Sequence, residues 1–154
     1  MIRRKQMLAV VTALALAAPG LTQAKTLTIT TKLGKVAGPK AYVAIYITDP
    51  KGRVFDTLHV AGRKSKYQDH LRGWMRGARS SRTKAHAVTG ASVGSRAILT
   101  ASVEIADNLI AAGYQVRVDT AREDHGDISK AAVLTLGKEN SVKGKGIVRS
   151  VEVK

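Results

Sequence analysis

The stretch Ala41-Tyr42-Val43-Ala44-Ile45-Tyr46-Ile47-Thr48-Asp49-Pro50-Lys51-Gly52 decides how this chain is read. Val43, Ile45 and Ile47 alternate with Tyr42, Ala44 and Tyr46, and a period of two marks a strand. Asp49, Pro50 and Gly52 stand where a type I turn prefers Asp, Pro and Gly. Arg53 to Val60 returns as the second arm, so residues 41–60 read as a β-hairpin.

The same alternation spreads outward from the hairpin. Leu27 and Ile29 alternate with Thr28 and Thr30 before it. After it come Leu99, Ala101, Val103 and Ile105, a turn at Ala106-Asp107-Asn108, then Tyr114, Val116 and Val118 behind Gly113. Glu123 to Asp127 reads as a turn, and Ala132, Leu134 and Leu136 as another strand. Gly137 to Gly146 reads as a loose basic loop, and Ile147, Val151 and Val153 close the chain. Short strands separated by turns predict an all-β, Ig-like antiparallel sandwich. One segment breaks the pattern. Leu71, Trp74, Met75 and Ala78 fall at i, i+3, i+4 and i+7, which predicts a short amphipathic helix weakened by Gly73 and Gly77. It lies in a long basic connection, residues 62–84, where eight Lys and Arg face only Asp69.

The N-terminus carries its own message. Arg3, Arg4 and Lys5 precede an uncharged apolar stretch from Met7 to Ala18, broken by Pro19-Gly20 and followed by Thr22-Gln23-Ala24. That order is the pattern of a cleavable secretory signal, predicted to occupy residues 1–24, and the apolar run is too short for a stable membrane anchor. Residues 25–154 then form a single sandwich domain of about 130 residues, long enough to bury a core. Losing three basic residues lowers the formal charge from +15 to +12. Such an excess favours anionic surfaces, and export argues against nucleic acid among them. Cysteine is absent, so thiolate metal sites and thiol redox chemistry are excluded, and a redox role requires a bound cofactor. His59, His70, His86 and His125 lack zinc-type spacing, and no metal site is expected from them. No catalytic triad or glycine-rich phosphate loop is legible, so a stand-alone enzyme is not the expectation.

Four residues carry the chemical reading. Thr89-Gly90-Ala91-Ser92 resembles the acceptor site of bacterial flavin transferases, which move FMN from FAD onto a Ser or Thr hydroxyl through a phosphoester. Small residues leave the peptide unobstructed and able to bend at the glycine. Beyond the motif, the chain resembles a bacterial family of predicted periplasmic proteins of unknown function. The matching stretches are 41–49, Gly52-Arg53-Val54, Trp74, Val88 to Ser92, Ala112-Gly113-Tyr114 and Ala121-Arg122-Glu123, in order over roughly residues 27–136. The hairpin and the Ala-Gly-Tyr strand entry also look like the Ig-like module of the flagellar hook-cap protein.

The resemblance implies a periplasmic electron-transfer protein with covalent FMN on Ser92, made by a flavin transferase and served by a PepSY-type membrane redox partner. Ser92 stands where the family's site has Thr, and His86 stands where transferase targets usually have Asp. Around the attached group, Thr89, Arg82, Lys84 and Arg96 are expected near the phosphate, and Trp74 or Tyr67 against the isoalloxazine ring. The alternative is a non-redox binding module that holds an anionic partner through segment 62–84, with affinity that falls with salt. An assembly role, by analogy with the hook-cap module, rests on fold likeness alone.

Overall fold

The structure, a computed structural model, describes residues 23–38, 40–62, 68–80, 88–90, 93–123 and 125–154. The signal proposed for residues 1–24 therefore falls almost wholly outside them. The expected all-β sandwich is the architecture found: two sheets packed face to face. Strands β1 (Ala24–Leu33), β5 (Ile98–Ala106), β8 (Ser141–Lys143) and β9 (Val148–Val153) form one sheet in the order β5-β1-β9-β8. Strands β2 (Ala41–Thr48), β3 (Val54–Ala61), β4 (Val88–Gly90), β6 (Gln115–Arg122) and β7 (Gly126–Thr135) form the other, in the order β4-β3-β2-β6-β7. All pairs are antiparallel except the edge pair β3–β4.

The hairpin of residues 41–60 is present as β2 and β3. Its turn is closed by the Asp49 amide donating to the Arg53 carbonyl at 2.9 Å and by Asp49 Oδ2 accepting from Arg53 Nε at 2.6 Å. β2 is the central strand and is buried on both faces. Val43, Ile45 and Ile47 enter the core between the sheets, with Ile29, Val116, Val118, Leu134 and Val151. Tyr42, Ala44 and Tyr46 enter a second core on the outer face, with Val54, Val60, Ala121, Leu71 and Trp74.

That second core exists because helix α1 (Arg72–Ser80) lies over the five-stranded sheet. The helix falls where the spacing of Leu71, Trp74, Met75 and Ala78 predicts it. Burying Leu71 and Trp74 contributes about 1.5–3 kcal/mol each. The two glycines that weaken the helix in sequence terms turn out to seat it. A Cβ at Gly73 would lie 2.5 Å from Asp119 Oδ2, and one at Gly77 would run into the Val54 side chain.

Asp119, fully buried on β6, fixes the helix start. Its Oδ2 accepts from the Trp74 amide at 2.7 Å, and its Oδ1 from the Tyr46 hydroxyl at 3.0 Å and the Lys130 amide at 2.8 Å. A carboxylate at a helix N-terminus also meets the positive end of the helix dipole. Burial and the neighbouring Asp119 carboxylate push the Tyr46 phenol well above its ordinary range, so it remains a donor.

Two expectations are corrected. Ala106-Asp107-Asn108 opens a second short helix, α2 (Asp107–Ala111), where a turn was expected. Its five residues are too few for a periodic signal. The supposed loose loop 137–146 contains β8, which pairs with β9 from Ser141↔Glu152 to Lys143↔Ser150. Three residues with one apolar position leave no alternation to read.

The packing predicts the sign of two substitutions. Gly77→Ala raises helix propensity by about 1 kcal/mol, yet the clash with Val54 should make it destabilising by about 1–3 kcal/mol. Asp119→Ala leaves three donors without an acceptor, two of them buried, and should cost roughly 3 kcal/mol or more. Urea unfolding followed by the fluorescence of Trp74, the single tryptophan, measures both; a stabilised Gly77→Ala would overturn the packing account.

Candidate functional site

Strand β4 carries the first half of the Thr-Gly-Ala-Ser motif to an edge of the five-stranded sheet. Thr89 pairs with Val60 and Gly90 with Ala61 of β3. Gly90 keeps an ordinary strand conformation, without the left-handed φ of a sharp bend. The backbone freedom is used opposite it, at Gly62, with φ 130. The Gly62 amide donates to the Gly90 carbonyl at 3.0 Å, and a Cβ at Gly62 would run into the Tyr42 ring. Tyr42 is itself tied through its hydroxyl to Glu123 Oε1 at 3.1 Å.

On the other side of the motif, Val93 is buried and forms a reciprocal bridge with Ala41, both N–H to O distances being 3.0 Å. Beyond Val93 the chain crosses to the other sheet. The Arg96 amide donates to the Gly34 carbonyl at 2.8 Å, the Leu33 amide to Ala97 at 2.9 Å, and β5 begins at Ile98 along β1. Gly90 and Val93 are thus pinned backbone positions on either side of Ala91 and Ser92. Ala91 and Ser92 themselves lie outside the described residues, as do Tyr67, Arg82, Lys84 and His86.

Arg96 is exposed on the turn after the crossover, with φ 58. With Lys35, Val36, Ala37 and Ser95 it lines a cleft that contains no acidic residue. Trp74 is placed differently from its expected role beside a flavin ring. It is 5% exposed in the core under α1, and its indole Nε1 donates to Thr57 Oγ1 at 2.9 Å. A stacking platform needs an open ring face, so Trp74 serves packing. The exposed aromatic ring among the described residues is Phe55, 43% exposed and in edge contact with Tyr114. It lies at the far end of β3 from the motif.

Sequence reading missed His59. It pairs across from Val88, and a Cβ at Gly90 would sit 3.6 Å from its imidazole. Burial holds that imidazole below its ordinary value of 6.5, so the neutral ring lies beside the motif. His70 meets Asp127, not only its neighbour Asp69: its Nδ1 stands 3.4 Å from Asp127 Oδ1, with Arg72 Nε on Oδ2 at 3.0 Å. Among the described residues no group of three or more His, Asp or Glu is gathered as a metal would require, and no helix is long and apolar enough to cross a membrane.

A family model described as "Predicted periplasmic protein (DUF2271)" matches residues 24–150, from the first residue of β1 into β9. The chain belongs to this family. No curated protein and no solved structure matches it. In this DUF2271 chain the match covers both sheets, both helices, the motif and the Arg96 cleft.

His59 gives this region a pH signature. Because its folded value is lowered, the unfolded chain takes up the proton first, and stability should fall as pH drops below 6.5. His59→Gln should flatten the pH dependence of urea unfolding between pH 7.5 and 5.5. An unchanged slope would show that groups other than His59 set it.

Proposed function

We propose that this DUF2271 protein is a periplasmic electron carrier whose FMN is joined covalently to Ser92. The observation that carries the reading is the position of the Thr-Gly-Ala-Ser segment. Its first two residues lie in a three-residue edge strand, a crossover follows it, and fixed backbone contacts hold it at Gly90 and just beyond it at Val93. A transferase target needs a hydroxyl that an enzyme can reach on a peptide whose ends stay put. An edge strand gives access, and the contacts on either side hold the ends. The family's description as predicted periplasmic agrees with the setting.

The residues present fit one end of the cofactor. Lys35 and Arg96 line an acid-free cleft close to the crossover and suit a phosphate. At this pole the described residues offer no exposed aromatic platform for the ring. A ring held by its tether and left open suits exchange with a second protein. FMN, when bound, supplies the electron chemistry; the chain supplies attachment, position and a positive field that raises the reduction potential.

Ser92 Oγ forms a bond to the FMN phosphorus of FAD, the bond to the AMP oxygen breaks, AMP leaves, and the hydroxyl proton is released. FAD is the co-reactant and a flavin transferase the catalyst; a PepSY-type membrane protein is the proposed electron donor.

Intact mass of the protein exported together with a flavin transferase tests this. The expected result is a gain of one FMN less one water, lost in Ser92→Ala. An unmodified mass, under conditions where a known target is modified, overturns the reading and leaves the basic segment, with Arg72 71% exposed on α1, as the basis for binding an anionic partner.

A further inference from the structure

The pole that carries the motif gathers cations from four separated parts of the chain: Lys35 before β2, Arg96 before β5, Arg122 at the end of β6 and Arg149 in β9. Gly34 is the hub. Its amide donates to the Ile147 carbonyl at 2.7 Å, its carbonyl accepts from the Arg96 amide at 2.8 Å, and a Cβ on it would lie 3.0 Å from Arg149 Nε. Arg122 Nη2 donates to the Ala37 carbonyl on the cleft wall, while its Nε is buried and has no hydrogen-bond partner among the described residues. Ser95 Oγ accepts from the Val36 amide at 3.1 Å, so the hydroxyl keeps its own proton to donate. Arg96 holds a left-handed backbone at φ 58, a conformation that costs a non-glycine residue about 1 kcal/mol. The bond to Gly34 holds that turn in place and with it the base of the Arg96 side chain.

We infer that the cleft between residues 34–37 and 94–96 is a phosphoryl-anion site, and that it receives the phosphodiester linking Ser92 to its flavin. The assignment rests on the reading of Ser92 above. The guanidinium of Arg96 pairs with two phosphate oxygens, Lys35 adds a second positive charge and Ser95 a neutral donor. Reach is no obstacle. Ser92 and Arg96 are four residues apart, at most about 14 Å even fully extended, and the arginine side chain spans part of that distance. Among the described residues of this pole, Glu123 is held by Tyr42 and Asp127 by Arg72 with His70. Neither lines the cleft.

Backbone-amide NMR of the unmodified chain, titrated with inorganic phosphate against chloride at equal ionic strength, tests the site. Saturable shifts are expected at Lys35, Val36, Ala37, Ser95 and Arg96. Arg96→Glu and Lys35→Glu should each weaken them about tenfold. Both side chains are exposed, so the fold should survive these changes. Ser92→Ala should titrate like the unmodified chain. In protein shown by mass to carry FMN, the same additions should produce no such shifts, because the tethered phosphate fills the cleft at high effective concentration. Absence of saturable shifts, or shifts indifferent to both charge reversals, overturns the site. Shifts undiminished in the loaded chain overturn the assignment to the flavin phosphate.

The same titration separates this inference from the reading it rests on. Phosphate binding in a chain that never gains flavin mass removes the flavin as source and keeps the cleft. Co-sedimentation with phosphatidylglycerol vesicles but not phosphatidylcholine vesicles, lost in Arg96→Glu, would assign that source to a lipid headgroup.

Discussion

The buried carboxylate of Asp119 is the contact on which the outer half of this structure depends. A carboxylate removed from water is costly unless its oxygens are supplied with donors. Here three elements supply them: the Tyr46 hydroxyl from β2, the Trp74 amide from α1 and the Lys130 amide from β7. Each element is thereby held against the same side chain. The glycine at position 73 follows from this, since any Cβ there would press on Asp119 Oδ2.

Docking α1 has a consequence for the rest of the fold. With the helix in place, Tyr42, Ala44 and Tyr46 gain apolar neighbours, and β2 becomes a central strand buried on both sides. The long connection out of β3 is then committed to the outer face of the five-stranded sheet. It must return past that sheet before reaching β5, and it does so as β4, parallel to β3 at the edge. The Thr-Gly-Ala-Ser motif begins on this three-residue parallel edge strand. The sandwich thus fixes the backbone on either side of residues 91–92, at Gly62–Gly90 and at Ala41–Val93.

Charge is arranged along the same axis. The end of the sandwich that bears the motif collects Lys35, Lys40, Arg96, Arg122 and Arg149, with Glu123 held by Tyr42 and Asp127 by Arg72 and His70. At the opposite end, Lys25 pairs with Asp107 at 3.0 Å and Arg53 with Asp49 at 2.6 Å. A positive field concentrated at one pole draws anions there, and the attraction weakens beyond a Debye length of about 8 Å at physiological salt.

Much of the fold was legible because its signals are local. Alternation over Ala41–Thr48, the Asp-Pro-Lys-Gly turn and the spacing of Leu71, Trp74, Met75 and Ala78 each lie within a dozen residues. Segments too short to hold a period, α2 and β8, carry no helix or strand signal in the sequence. The motif at Thr89–Ser92 was visible as a pattern, and the basic composition as a count. The sequence could not say that Gly73 and Gly77 mark close approaches, because Asp119 and Val54 lie 46 and 23 positions away along the chain. Nor could it join Lys35, Arg96 and Arg149, or set His59 beside Gly90. Those neighbours are made by sheet order, β1 between β5 and β9 and β4 against β3. Side-chain period and turn chemistry determine which segments become strands and helices. Which strands lie side by side is decided by burial of both faces at once, and only the folded core decides that.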